Sequence, residues 1–175
     1  RDYGGFTFNR HNRGWDWFAI QFDNGRELMV FHMRDQQGRQ SEHSLATLIE
    51  PDGSAVRLPP EAIEVEPLKA WHSPVSGSKY PVEWRIRLAT IGAELRVAAE
   101  MREPELDTRG STCLYYWEGP TAVSGKLSGQ KVQGHGYLEM VGYDEPGGFG
   151  IYDFETDNLG LYGWLVNEYR LRAFG

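Results

Sequence analysis

Three carboxylates sit in aromatic neighbourhoods: Asp16 in Trp15-Asp16-Trp17, Glu118 after Tyr116-Trp117, and Glu139 in Tyr137-Leu138-Glu139-Met140. A carboxylic acid kept out of water holds its proton near neutral pH, because desolvation penalises the charged form. Such a group can act as a general acid. Aromatic faces beside it would stabilise a cation formed by protonation, through the quadrupole attraction that also draws ammonium groups. Glu139 is the first candidate, since Gly134 and Gly136 open space nearby and Tyr137 shares its strand face. The competing role for each is a strand-end carboxylate bonded to a backbone N–H or an arginine.

Histidine and serine offer less. His32 could act as a base, although a lone strand histidine is more often a packed one. His135, in Gly134-His135-Gly136, has small neighbours that leave room for a ligand or for another backbone. His11, His43 and His72 stand isolated in turn-like sequence, and no two histidines have metal-ligand spacing, so zinc is not expected. Ser73, Ser76 and Ser124 lack a Gly-x-Ser-x-Gly context. KLSGQK reads as a hairpin turn and not as a phosphate cradle. No cofactor is implied. Cys113 is the single cysteine, which excludes an internal disulfide, and its apolar run suggests a small buried side chain.

The elements that must position these residues read as strands and turns. In RGWDWFAIQFDNGRELMVFHMRD (13–35), Asn24-Gly25 is the dipeptide of a two-residue type I′ turn. A two-residue loop predicts that Asp23 faces Arg26, with Ile20–Met29, Phe18–Phe31 and Asp16–Met33 on a core face. The opposite face would pair Ala19–Val30, Trp17–His32 and Trp15–Arg34. That second face, aromatic but tipped with polar groups, suits either a pocket wall or a buried interface. YPVEWRIRLA (80–89) alternates strictly, with Tyr80, Val82, Trp84, Ile86 and Leu88 to one side, and AELRVAA (93–99) repeats the pattern. A second hairpin, 121–143, turns near Ser128-Gly129, and EPELD (103–107) has the composition for one helical turn. About nine short strands with frequent turns predict an all-β antiparallel sandwich or barrel. The barrel core spans 1–143; a glycine- and aromatic-rich segment, 144–175, is expected to add a strand that packs on it or closes it.

Composition bounds the partners. A chain of 175 residues with 40% hydrophobic and 13% aromatic content supports a real core. A net charge of −7 argues against nucleic acid and anionic membrane surfaces, and no apolar run is long enough to span a bilayer. The chain begins at Arg1, and a segment before it would be the place for targeting information.

GWDWFAIQFDNGRELMVFHMRDQQG, WHSPVSGSKYPVEWRI and YYWEGPTAVSGKLSGQKVQGHGYLEMVGY together resemble the lipocalin-like carotenoid 1,2-hydratase superfamily. The likeness is to its branch of predicted secreted hydrolases, and there to the C-terminal of two barrel domains, over residues 14–143. It implies an antiparallel lipocalin-like barrel that binds an elongated apolar molecule: an isoprenoid, a polyene or a lipid-like chain. It further implies hydration of an alkene or cyclisation of a polyene, chemistry for which Glu139, Glu118 and Asp16 are the candidate proton donors from their own neighbourhoods. Trp15, Trp17, His32, Tyr116, Trp117, His135 and Tyr137 would line the ligand. The resemblance also suggests a secreted or periplasmic setting, and a partner barrel domain or a second copy against the second apolar face. Members usually carry an acidic residue just upstream of the Gly-Trp motif, where this chain has Asn9, His11 and Asn12. A non-catalytic carrier or structural subunit is the alternative.

Overall fold

The computed structural model describes residues 12–101, 104–108 and 115–143. Cys113, Asn9, His11 and the 144–175 segment, for which the sequence raised expectations, lie outside them. The strands are β1 (Asn12–Phe22), β2 (Glu27–Asp35), β3 (Leu45–Ile49), β4 (Ala55–Leu58), β5 (Glu64–His72), β6 (Lys79–Leu88), β7 (Ala93–Ala99), β8 (Glu105–Asp107), β9 (Tyr115–Leu127) and β10 (Gln130–Val141). They form one antiparallel sheet in the order β4-β3-β2-β1-β10-β9-β7-β6-β5, with β8 added to β9. The sheet curls into a half-barrel whose edge strands, among the described residues, are β4 and β5. β8 corrects the expected helical turn: Glu105, Leu106 and Asp107 pair with Trp117, Tyr116 and Tyr115.

Alternation decides which side chains fill the interior. On β6, Tyr80, Trp84, Ile86 and Leu88 are buried while Arg85 and Arg87 face out, as the sequence pattern predicts. Phe18 of β1 meets Trp84 of β6 edge to face across the interior, with ring centroids 5.5 Å apart. Phe18, Ile20, Phe22, Leu28, Val30 and Leu138 continue the same core. The hairpin of β9 and β10 turns at Ser128-Gly129, both with positive φ.

The hairpin of β1 and β2 differs from expectation by one residue. Its loop is Asp23-Asn24-Gly25, closed by the Phe22 N–H donating to the Arg26 carbonyl and the Gly25 N–H to the Phe22 carbonyl. Gly25, at φ 81°, takes the left-handed position that ends a three-residue loop. Both loop types place glycine at positive φ, so Asn-Gly did not distinguish them. Asp16 therefore pairs with His32, Trp15 with Met33 and Trp17 with Phe31. A one-residue slip exchanges the faces of a strand. Leu28, Val30, His32 and Arg34 point inward, while Met29 and Phe31 leave the interior.

Candidate functional site

The corrected register builds a polar cluster at one end of the interior. Asp16 is fully buried, and His32 and Arg34 are nearly so. Asp16 Oδ2 lies 2.8 Å from His32 Nδ1 and accepts from Arg34 Nε at 3.2 Å. Asp16 Oδ1 accepts from the Tyr143 hydroxyl at 2.7 Å. The Arg34 guanidinium also donates to the Val141 carbonyl at 2.5 Å, and it stacks 4.1 Å over the Tyr143 ring. Gly14 permits this close crossing, because a Cβ there would collide with the Val141 carbonyl and the Arg34 guanidinium.

Electrostatics follow from the partners. Burial alone would raise the Asp16 pKa, but the charge of Arg34 and the bonds from His32 and Tyr143 outweigh it. The carboxyl is held below its usual range, so Asp16 is an anion and not a proton donor. Burial, then the Asp16 charge, pushes the Tyr143 phenol well above its ordinary pKa, against the charges of Arg34 and Arg13. His32, with Nδ1 bonded to the Asp16 carboxylate, presents Nε2 with no hydrogen-bond partner among the described residues. An imidazole so oriented has a fixed tautomer and one nitrogen free for proton transfer.

A cavity of about 650 Å³ opens onto this cluster. Asp16, His32, Arg34 and Tyr143 form its polar end, and Ile63, Val65, Pro67 and Trp84 its apolar wall. The Trp84 indole N–H is buried without a hydrogen-bond partner, a cost that a bound polar group would remove.

The other expected site residues go elsewhere. Glu118 and Glu139 are cross-strand partners on the outward face, not in the cavity. Glu139 accepts from the Trp15 indole at 2.7 Å, and Glu118 from the Tyr137 hydroxyl at 3.1 Å. Burial raises the Glu139 pKa, and the Glu118 charge raises it further against the Trp15 bond. Trp15, Trp17, Phe31 and Tyr116 pack around them as a second apolar cluster on that face. Trp117 points inward and is fully buried in the core, and His135 is exposed. A Cβ at Gly134 or Gly136 would meet the backbone of β1 at Gln21 or Ala19, so these glycines permit close strand approach; Trp17, His135, Gly136 and Tyr137 also line a separate cavity of about 380 Å³.

Sequence reasoning missed Arg34, Tyr143, Trp84 and Arg13 as cavity residues. His32 and Arg34 are two apart on one strand and had to share a face; only the register could show that the face was that of Asp16. Among the described residues no three His, Cys, Asp or Glu side chains converge as a metal site, and no helix is long and apolar enough to cross a membrane.

Comparison with known proteins adds a family and a fold. The model of the AttH-like family matches residues 1–143. No protein of curated function matches the sequence. Among solved structures, an AttH of Nitrosomonas europaea is 29% identical with a TM-score of 0.70, over 80% of this chain and 42% of that one. Kievitone hydratase from Nectria haematococca is 20% identical with a TM-score of 0.63, over 76% of this chain and 40% of that one. CghA is 15% identical with a TM-score of 0.51, over 79% of this chain and 42% of that one. The chain thus spans about two-fifths of each of these structures, and they share its lipocalin-like β architecture.

Proposed function

The chain belongs to the AttH-like family, and on that premise we propose that it binds an elongated apolar molecule in the half-barrel and moves a proton at one of its double bonds. The observation that carries this reading is the Asp16–His32 pair, bonded at 2.8 Å and set into the end of a cavity with an apolar wall. The solved neighbours include a protein named as a hydratase, which favours addition of water over other proton chemistry.

In this reading Asp16 orients His32, and His32 Nε2 handles the proton. The imidazole takes a proton from water as the water oxygen bonds to one alkene carbon, and returns it to the other carbon as the π bond is lost. The product is the alcohol, with no other reactant consumed. An imidazolium is a weaker acid than a carboxylic acid, so a double bond already polarised by conjugation is the better substrate. A cyclisation would use the same polar end to polarise the polyene. Glu118 and Glu139 have no place in this step, because they face away from the cavity.

The test uses conjugated terpenoid and polyketide alkenes in ¹⁸O-labelled water, with mass spectrometry of the products. Wild type should give the labelled alcohol, and His32→Gln should slow its formation by roughly 10²–10⁴-fold, the range for losing a general acid–base. Ligand held in native mass spectra with no turnover by wild type would favour the carrier.

A further inference from the structure

A cavity for pure hydrocarbon has no use for an unanswered charge, yet this one holds a cation with no ion-pair partner among the described residues. Arg13 and Arg34 line it near Asp16, and Arg85, Arg87, Glu64 and Glu66, which face out from β5 and β6, reach its open mouth. Arg34 is answered by Asp16 at 3.2 Å and Arg85 by Glu66 at 2.7 Å. Arg87 lies 3.6 Å from Glu64 and 3.7 Å from Glu94. Arg13 has no ion pair among the described residues, and its Nε is buried with no hydrogen bond. Arg13 is half-buried, and the buried Nε–H is a polar group whose desolvation no hydrogen bond offsets. Nor is it part of a generally basic surface, since the chain carries a net charge of −7.

The backbone aims this residue. Pairing of β1 with β2 shifts register between Asn12 and Gly14. Such a bulge re-aims the side chain it carries. Arg13 precedes the outward-facing Trp15 and Trp17 on β1, yet it lines the cavity. Its charge reaches the Tyr143 phenol, which also bonds Asp16. Trp84, 2% exposed on the cavity wall, adds an indole N–H with no partner.

We propose that the ligand of this cavity is an amphiphilic acid, an apolar chain or ring system that ends in a carboxylate and is anchored by Arg13. Its body lies along Ile63, Val65 and Pro67, and the Trp84 N–H is a further donor to its oxygens. The proposal rests on the cavity being a ligand site, as argued above, and narrows the class of molecule it takes. Anchoring the head at a fixed cation would also fix which double bond reaches His32.

Isothermal titration calorimetry of the full chain with farnesoic acid and with farnesol, at a pH where the acid is ionised, tests this. The matched pair differs only at the head group. Wild type should bind the acid about tenfold or more tightly than the alcohol. Arg13→Gln should abolish that preference while leaving the affinity for the alcohol unchanged, which also reports an intact fold, and Arg13→Lys should restore part of it. Equal affinity of wild type for both probes overturns the acid proposal and leaves the cavity reading standing. Preference for the acid that survives in Arg13→Gln also overturns it. Binding of neither probe overturns both.

Discussion

One strand, β1, supplies both faces of the hairpin, and the two faces treat a carboxylate in opposite ways. Inward, Asp16 is enclosed by Arg34, His32 and Tyr143 and is held as an anion below its ordinary pKa. Outward, Glu139 is partly buried between the Trp15 indole and a second carboxylate, Glu118, and its pKa is raised. Burial pushes both upward; the neighbours decide the sign. The group in the more deeply buried place is therefore the more strongly ionised, and an aromatic sequence neighbourhood alone does not identify the proton donor.

The contrast is broken most severely by removing the inward cation. Arg34→Met leaves the buried Asp16 charge with only the bonds from His32 and Tyr143 and no fixed counter-charge, and should destabilise the fold by about 3 kcal/mol in urea unfolding. A loss near zero would mean that Asp16 is not held as an anion. Next in size is the loop that sets the register. Gly25 has φ 81°, so Gly25→Val should destabilise by roughly 1–2 kcal/mol, because a β-branched side chain resists the left-handed region.

The two carboxyls also separate the pH dependence of stability. Asp16 has a folded pKa below the ordinary aspartate value, so its contribution is present above about pH 4 and is lost as pH falls through the folded value. Glu139 has a folded pKa above the ordinary glutamate value, so its contribution is present below about pH 4.5 and is lost as pH rises through the folded value. Urea midpoints measured from pH 3 to 8 should show a steeper acid limb in wild type than in Asp16→Asn. Above pH 4.5 the decline should flatten in Glu139→Gln. The smallest effect is on stability at pH 7, where Glu139→Gln should change it by no more than about 1 kcal/mol, the scale of one hydrogen bond.

Much of the fold was legible because it rests on alternation. The inward row Tyr80, Trp84, Ile86 and Leu88 and the turn at Ser128-Gly129 follow from period and turn chemistry. The site was less legible, because it depends on one residue of loop length. Asp23 joins the loop while its N–H donates to the Gln133 carbonyl on β10, a tertiary contact that local sequence does not report. That single step turned His32 and Arg34 toward Asp16. Arg13 depends on a bulge and Tyr143 on chain crossing beyond β10, neither of which has a periodic signature.

The ionisation contrast between the faces is tested most directly by carbon-13 NMR of the carboxyl groups, titrated from pH 2 to 8. Asp16 should titrate below the ordinary aspartate range near ~3.9 and Glu139 above the ordinary glutamate range near ~4.3. Should Asp16 hold its proton to higher pH than Glu139, the inward cluster would not be an anion-oriented histidine, and the case for His32 as the proton carrier would fall with it.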